Sequence, residues 1–254
     1  MKTLRTIAEI RTELAPKTAI GLVPTMGAFH EGHLALIRAA REESETVVVS
    51  VFVNAAQFAQ GEDFARYPRD EARDAALAEE AGVDVLFAPS TDELYPPGYQ
   101  TWVEVEELGA ILEGAHRPGH FRGVATVCCK LFNIVRPERA YFGQKDAQQV
   151  AVVRTMASDL NLDVELRALP TVRDADGLAL SSRNAYLSPE QREQALTLPR
   201  ALATRDRERA RALLDGLEVD YLEVADFGPR VLAAAVRVGK TRLIDNVVLE
   251  GDPA

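Results

Sequence analysis

Val23-Pro24-Thr25-Met26-Gly27-Ala28-Phe29-His30-Glu31-Gly32-His33-Leu34 is the stretch whose reading decides the fold. It reads as the turn between a buried strand and the helix behind it. Two imidazoles three residues apart, with Gly27 and Gly32 beside them, place ring nitrogens and bare backbone at the start of a helix that runs on through His33-Leu34-Ala35-Leu36-Ile37-Arg38. A helix start offers unpaired N–H groups and the positive end of the peptide dipole, so a phosphate-bearing nucleotide is expected there.

Upstream, residues 18–23 read as a strand ended by Pro24. Downstream, Thr46-Val47-Val48-Val49-Ser50-Val51-Phe52-Val53 is apolar on both faces, as a central parallel strand covered by helices must be. Strand, helix, strand in this order is a βαβ unit. Before it, Thr3 caps a short helix over 3–14, with Leu4, Ile7, Ile10 and Leu14 at helical spacing. After it come a helix over 69–81, a strand over 84–88 and an alternating edge strand over 101–105. The Gly- and Pro-dense residues 112–123 read as a mobile or binding loop. An apolar helix over 123–135, a strand over 140–142, a helix over 146–159 and a strand over 164–169 follow. The expected class is α/β, a parallel sheet with helices on both faces in residues 1–172. The polar, glycine-containing residues 173–184 mark a boundary, leaving 173–254 as a smaller C-terminal α+β lobe. That lobe opens with a helix at Ser188-Pro189-Glu190-Gln191, where serine caps, proline takes the first position and glutamine follows three after the serine. The charged run over 205–211 is a solvated helical face. Strands follow over 219–224 and 233–238, and a last one comes after Thr241-Arg242-Leu243-Ile244-Asp245-Asn246.

With 254 residues, 47% of them hydrophobic, a sizeable core is within reach. The 29 basic against 39 acidic residues leave a net charge of −10, which excludes a nonspecific nucleic-acid binder. An anionic substrate must then be held by locally placed cations. Two cysteines occur, the neighbours Cys128 and Cys129 in an apolar helical run, where they are poor disulfide partners and read as small core residues in a reducing cytosol. There is no leader-like N-terminus, and no run approaches the roughly 18 uninterrupted apolar residues of a membrane span. A cytoplasmic protein without a membrane partner is expected.

Four histidines fall as two pairs, His30 with His33 and His116 with His120. Their clustering beside glycines at strand ends favours function over a structural role. A zinc site is the competing reading, but no carboxylate or thiol stands at a matching helical offset. In Leu178-Ala179-Leu180-Ser181-Ser182-Arg183-Asn184, two hydroxyls and a guanidinium make a clamp for phosphate oxygens; the plain alternative is a polar linker. In Gly143-Gln144-Lys145-Asp146, glycine permits close backbone approach and Lys145 supplies a point charge. Asp146 either caps the following helix or reaches a ligand or metal through water. Gln57 and Gln149 are neutral amides that bond hydroxyls and carboxylates without repelling an anion.

Pro24-Thr25-Met26-Gly27 with His30-Glu31-Gly32-His33 resembles the HIGH-type signature of nucleotidyl-transferring Rossmann enzymes, and Leu180 to Asn184 resembles the loop that plays the KMSKS part. Five further runs extend the match: Phe52-Val53-Asn54-x-x-Gln57-Phe58, Tyr67-Pro68-Arg69, residues 117–124, Tyr141-Phe142-Gly143-Gln144-Lys145-Asp146-x-Gln148-Gln149, and Thr241 to Asn246. Together the chain resembles the pantothenate synthetase (pantoate–β-alanine ligase) family along its whole length. The resemblance implies a Rossmann-like domain and an ATP-dependent condensation of pantoate with β-alanine through a pantoyl adenylate, giving pantothenate, AMP and pyrophosphate. It also implies Mg²⁺ on the phosphates and a homodimer.

Carried onto this chain, Met26, Gly27, His30, Gly32 and His33 hold ATP, with His30 and His33 donating to phosphate oxygens and His33 as the acid. Lys145 neutralises the α-phosphate and leaving group. Gly143, Gln144, Asp146, Val172 and Leu180 line the nucleotide, and Ser181, Ser182 and Arg183 clamp the outer phosphates from across the lobe boundary. Gln57 and Gln149 hold pantoate, and Asn54 and Gln57 lie where β-alanine arrives. No direct metal ligation by protein is expected beyond Asp146, and no covalent enzyme intermediate is needed. Two departures stand out. Ala55 and Ala56 replace the family's proline and large apolar residue, and the helical part near 204–214 is cut short. The rival readings are a nucleotidylyltransferase that moves a whole nucleotide onto a phosphorylated acceptor, and a nucleotide-binding protein without turnover.

Overall fold

The computed structural model describes residues 1–59 and 61–249. In chain order the elements are β1 (Lys2–Leu4), α1 (Ile7–Leu14), β2 (Ile20–Thr25), α2 (Glu31–Glu43), β3 (Thr46–Val51), α3 (Glu71–Glu80), β4 (Val85–Phe87), α4 (Thr91–Leu94), α5 (Glu113–His116) and α6 (His120–Val135). There follow β5 (Arg139–Gly143), α7 (Ala147–Asp159), β6 (Glu165–Leu169), α8 (Pro189–Ala195), α9 (Thr197–Leu202), α10 (Arg207–Leu213), β7 (Glu218–Asp226), β8 (Arg230–Val238) and β9 (Thr241–Val248).

Six strands form one sheet in the order β1-β4-β3-β2-β5-β6, with parallel ladders. β3 is buried from Thr46 to Ser50, as its two-sided apolar run requires. The strand order reverses between β2 and β5, the place where open parallel sheets bind ligands beyond the carboxyl ends of their strands. The expected α/β class is the observed one, with a second, antiparallel sheet β7-β8-β9 near the C-terminus.

Several local expectations are corrected. The first helix begins after Thr6, whose side chain and Glu9 make a reciprocal capping box, because residues 2–4 pair with β4 instead. Pro24 lies inside β2, opposite Ser50, and the strand runs on to Thr25. Residues 101–105 form no strand: the Val103 N–H donates to the Thr126 hydroxyl of α6 at 3.0 Å, so a helix side chain takes the place of a neighbouring strand. The loop expected over 112–123 holds α5 and the first turn of α6, which starts from Gly119 in the left-handed region at φ 83°. Thr241 to Asn246 lies within the last strand rather than before it. The cap at Ser188 stands as expected, with Gln191 completing the box and Pro189 at the first position.

Two compact units divide the chain: Met1–Phe29, His33–Phe142 and Ala151–Arg167 in the first, and His30–Gly32, Gly143–Val150 and Ala168–Ala254 in the second. The first is built on the parallel sheet, with Leu22, Val47, Val48, Val49, Leu86 and Phe87 fully buried. The second has its own core, in which Leu198, Leu202 and Leu214 from the helical run meet Leu222, Leu232 and Val236 of the antiparallel sheet. Its last helix is short, at seven residues, yet it still delivers Ala210 to that core with none of its area exposed. Among the described residues no helix is long and apolar enough to cross a membrane.

Candidate active site

In the first unit the loop after β2 is held rigidly. Gly27 and Ala28 both take positive φ, 82° and 54°, turning the chain sharply out of the strand. A side chain at Gly27 would meet Asp74 Oδ2 at 2.8 Å, so glycine is required there by sterics as well as by φ. Asp74, 1% exposed in α3, accepts the N–H groups of Ala28 and Phe29, each at 2.7 Å. Arg73 donates to the Phe29 carbonyl at 3.2 Å. The ring of His33, in the first turn of α2, lies 5.5 Å from that of Phe29.

The loop after β3 is a 3₁₀ turn, Ala55–Gln57, capped by Asn54, whose side chain accepts the Ala56 N–H. The Asn54 amide donates to Gln57 Oε1 at 3.0 Å and to the Gly123 carbonyl at 3.1 Å. Gln57 Nε2 donates in turn to Met26 Sδ at 3.2 Å. Both amides are buried. Gly123 lets the turn settle on α6, since a side chain there would stand 2.3 Å from the Ala56 carbonyl oxygen.

Below this turn sits His120. Its Nδ1–H donates to the Gln57 carbonyl at 2.8 Å, and Nε2 accepts from Arg117 at 3.1 Å. Arg117 also grips Glu62 with two bonds of 2.7 and 2.8 Å. Burial, and then the Arg117 charge, push His120 down to about 4. Burial alone would raise Glu62, but the bonds and charge of Arg117 outweigh it and hold the carboxyl below its ordinary range. His120 is therefore a neutral brace under Gln57.

This brace has a measurable signature. Because the folded chain binds the His120 proton only near pH 4, while an ordinary histidine binds it near 6.5, the unfolded chain takes up the proton first as pH falls. The stabilisation is whole above pH 6.5 and is lost on the way down to 4. In thermal melts, the margin by which the parent exceeds His120→Gln is expected to shrink across that window. A margin that stays constant would rule out the neutral brace.

In the second unit, His30 Nδ1 accepts the Gly32 N–H at 3.2 Å, which leaves the ring proton on Nε2. Burial, and then the positive charge of Lys145, hold His30 at about 4 against the opposing pull of Asp146 and Asp174. At neutral pH it is an uncharged donor. Lys145 stands in the 3₁₀ turn Gln144–Asp146 after β5, its Nζ 4.0 Å from Asp146. Gln149 is half-buried in the first turn of α7. Residues 172–180 form a hairpin, with a bridge between Arg173 and Ala179 and the Leu180 N–H donating to the Val172 carbonyl at 3.0 Å. It feeds directly into Ser181, which caps the 3₁₀ turn Ser182–Tyr186 by accepting the Arg183 N–H.

The structure thus groups Met26, Asn54 and Gln57 in the first unit, and His30, Lys145, Asp146 and the Val172–Leu180 hairpin in the second. Sequence reading missed Asp74 and Arg73, which fix the loop ahead of the histidine pair. The signal for Asp74 was an acid sharing the buried face of α3 with Ala78, four residues on. Among the described residues no group of three or more His, Cys, Asp or Glu is placed to hold a metal ion.

The family profile for pantoate-beta-alanine ligase matches residues 2–248. The pantothenate synthetase of Heliobacterium modesticaldum is 53% identical, the match covering 98% of this chain and 100% of the relative. That alignment extends over 285 residues, more than the 254 here, so the relative carries residues this chain lacks. The crystal structure of pantothenate synthetase from Thermus thermophilus superposes with a TM-score of 0.95 at 48% identity, covering 99% of this chain and 100% of that one. Pantoate-beta-alanine ligase from Francisella tularensis, complexed with β-γ ATP and β-alanine, gives a TM-score of 0.87 at 34% identity with full coverage of both chains. The chain belongs to the pantoate-beta-alanine ligase family.

Proposed function

We propose that this ligase joins pantoate to β-alanine in two steps driven by ATP, with the residue roles that follow. A carboxylate is a poor acyl electrophile. The pantoate carboxylate oxygen therefore attacks the α-phosphorus of ATP; the new P–O bond forms as the bond to the bridging oxygen breaks, and pyrophosphate leaves. The β-alanine amine then attacks the acyl carbon, AMP departs with the carboxylate oxygen, and the amine proton passes to solvent.

The observation that carries this reading is the uncharged His30, its proton on Nε2, held within the electrostatic reach of Lys145. A neutral donor beside a fixed cation suits a site where negative charge moves from the α-phosphate toward the leaving pyrophosphate. His33 is the acid at the first turn of α2, and Lys145 neutralises the α-phosphate. Met26, Gly27 and Gly32 with Gly143, Gln144, Val172 and Leu180 line ATP, and Ser181, Ser182 and Arg183 take the outer phosphates. Asn54, Gln57 and Gln149 receive the pantoate and β-alanine side of the reaction. Mg²⁺ would come on the phosphates. The donor set fits it: Asp146 has a part-exposed carboxylate next to Lys145, and magnesium needs only one or two carboxylates besides phosphate oxygens and waters.

Cys128 and Cys129 are free thiols, the first buried, which suits a reducing cytoplasm. The homodimer comes from the family resemblance, and light scattering tests it. The activity is tested by AMP formation that requires both pantoate and β-alanine, with pantoyl adenylate detected by mass spectrometry from ATP and pantoate alone. Pyrophosphate release without pantoate, in the presence of a phosphorylated acceptor, would favour the nucleotidylyltransferase instead. Arg183→Ala is expected to raise the KM for ATP roughly tenfold or more, the scale of losing charge-assisted bonds to phosphate. An unchanged KM for ATP would remove Arg183 from the clamp.

A further inference from the structure

Thr241 to Asn246 has no part in the chemistry above, yet it ends in two adjacent buried polar groups: Asp245 is 2% exposed and Asn246 5%. They are neighbours on β9, one of the two edge strands of the antiparallel sheet. Successive side chains on a strand point to opposite sides, so the pair reaches two different segments.

Asn246 reaches the Lys145 turn. Its Nδ2 donates to the carbonyls of both Gln144 and Lys145, each at 2.9 Å. Asp245 reaches the hairpin that leads to the serines. Its two carboxylate oxygens accept from Arg173 at 2.6 and 3.0 Å, a fork-to-fork pair. Arg173 also donates to the Gly177 carbonyl at 3.2 Å across the hairpin, and to the Asn246 carbonyl at 3.5 Å. The Asn246 N–H donates to Asp245 Oδ1 at 2.8 Å. Both backbone groups of Asn246 that face away from β8 are thus occupied, as an edge strand needs if it is not to pair with another chain.

We infer that Asp245 and Asn246 are positioning residues for ATP, fixing the Lys145 turn and the Ser181–Arg183 segment to one rigid strand. The inference rests on the ATP roles proposed above for those two segments. A point charge and a clamp acting on one triphosphate must keep a constant separation, and misplacement by about 1 Å costs catalysis on the order of a hundredfold. Two adjacent residues of a hydrogen-bonded strand supply that constancy: Asn246 carries the turn and Asp245, through Arg173, carries the hairpin.

The test is Asn246→Asp and Asp245→Ala in the full-length protein. The first is isosteric but loses both donors and sets a carboxylate against two carbonyls; Asn246→Ala replaces it should it not fold. Asp245→Ala frees the hairpin, with Arg173→Lys, which keeps the charge and loses the fork, as its substitute. Two readouts are taken: equilibrium binding of a nonhydrolysable ATP analogue, and kcat and KM for each substrate by AMP formation. Asn246→Asp is expected to lower kcat by roughly tenfold or more, and Asp245→Ala to weaken analogue binding and raise the KM for ATP by roughly tenfold. The KM for pantoate should stay within about twofold, because a general loss of structure would move all three constants together. Variants that bind the analogue and turn over like an active parent overturn the inference alone, as does a pantoate KM that rises in step with that for ATP. A parent that binds no analogue overturns the ATP reading as well.

Discussion

His33→Ala is expected to lower turnover by roughly a hundredfold or more, the scale of removing one preorganised donor from a site where charge develops. His33 sits in the first turn of α2, where backbone N–H groups lack partners within the helix, and its ring packs beside Phe29. Its loss deletes a donor without emptying the core, since the residue is only half-buried. Lys145→Ala should fall on the same scale by a different route, because it removes the point charge proposed to neutralise the α-phosphate. In both variants pantoyl adenylate formation, measured in a single turnover with ATP and pantoate, should slow as much as the overall reaction. Turnover within about threefold of the parent for either variant would withdraw that residue from the chemistry.

Asp74→Ala should be the most damaging change away from the proposed substrate contacts. It strands the N–H groups of Ala28 and Phe29, which now lie 2.7 Å from the carboxylate. An orphaned buried donor costs about 1–3 kcal/mol, so two of them should lower the melting temperature by roughly 5 °C or more for a chain of this size. Function should suffer beyond stability. Ala28 is held at φ 54°, a conformation that non-glycine residues seldom keep without support. Once the loop relaxes, the segment that ends in His30 and His33 loses its fixed start, and turnover should drop by roughly tenfold or more even where the protein remains folded. Asp74→Asn, which keeps one accepting oxygen, should fall between the two. An Asp74→Ala variant that melts and turns over like the parent would show that the loop holds itself.

Much of the fold was legible because periodicity reports burial. The unbroken run at 46–53 announced a central strand, and the Ser188 box announced a helix start to the residue. What stayed hidden depended on partners distant in sequence. Nothing local marks residues 2–4 as a strand, since β1 exists only by pairing with β4, far along the chain. Residues 101–105 alternate like a strand but find the Thr126 hydroxyl instead of a neighbouring ladder. The site divides in the same way. Short motifs pointed to the histidines, Lys145 and the serine pair, whereas Asp74 and Asn246 bind backbone groups and Asp245 acts through Arg173, partners distant in sequence that no local pattern announces. The spacing of the second histidine pair could not show that both ring nitrogens of His120 are taken up, by the Gln57 carbonyl and by Arg117.

The turn at Ala55–Gln57 has a thermodynamic consequence. A proline at its first position would restrict the unfolded chain and so favour folding by about 0.4–1 kcal/mol. With alanine at 55 and 56 that restriction is absent from the denatured ensemble, and the native state alone must order the turn. It does so through Asn54, 1% exposed, whose amide is bound to Gln57 and to the Gly123 carbonyl. The turn is thus held by a side chain and not by a stiff backbone ring. Asn54, proposed above as a substrate-side residue, therefore also fixes the turn that a looser unfolded state leaves to the native contacts.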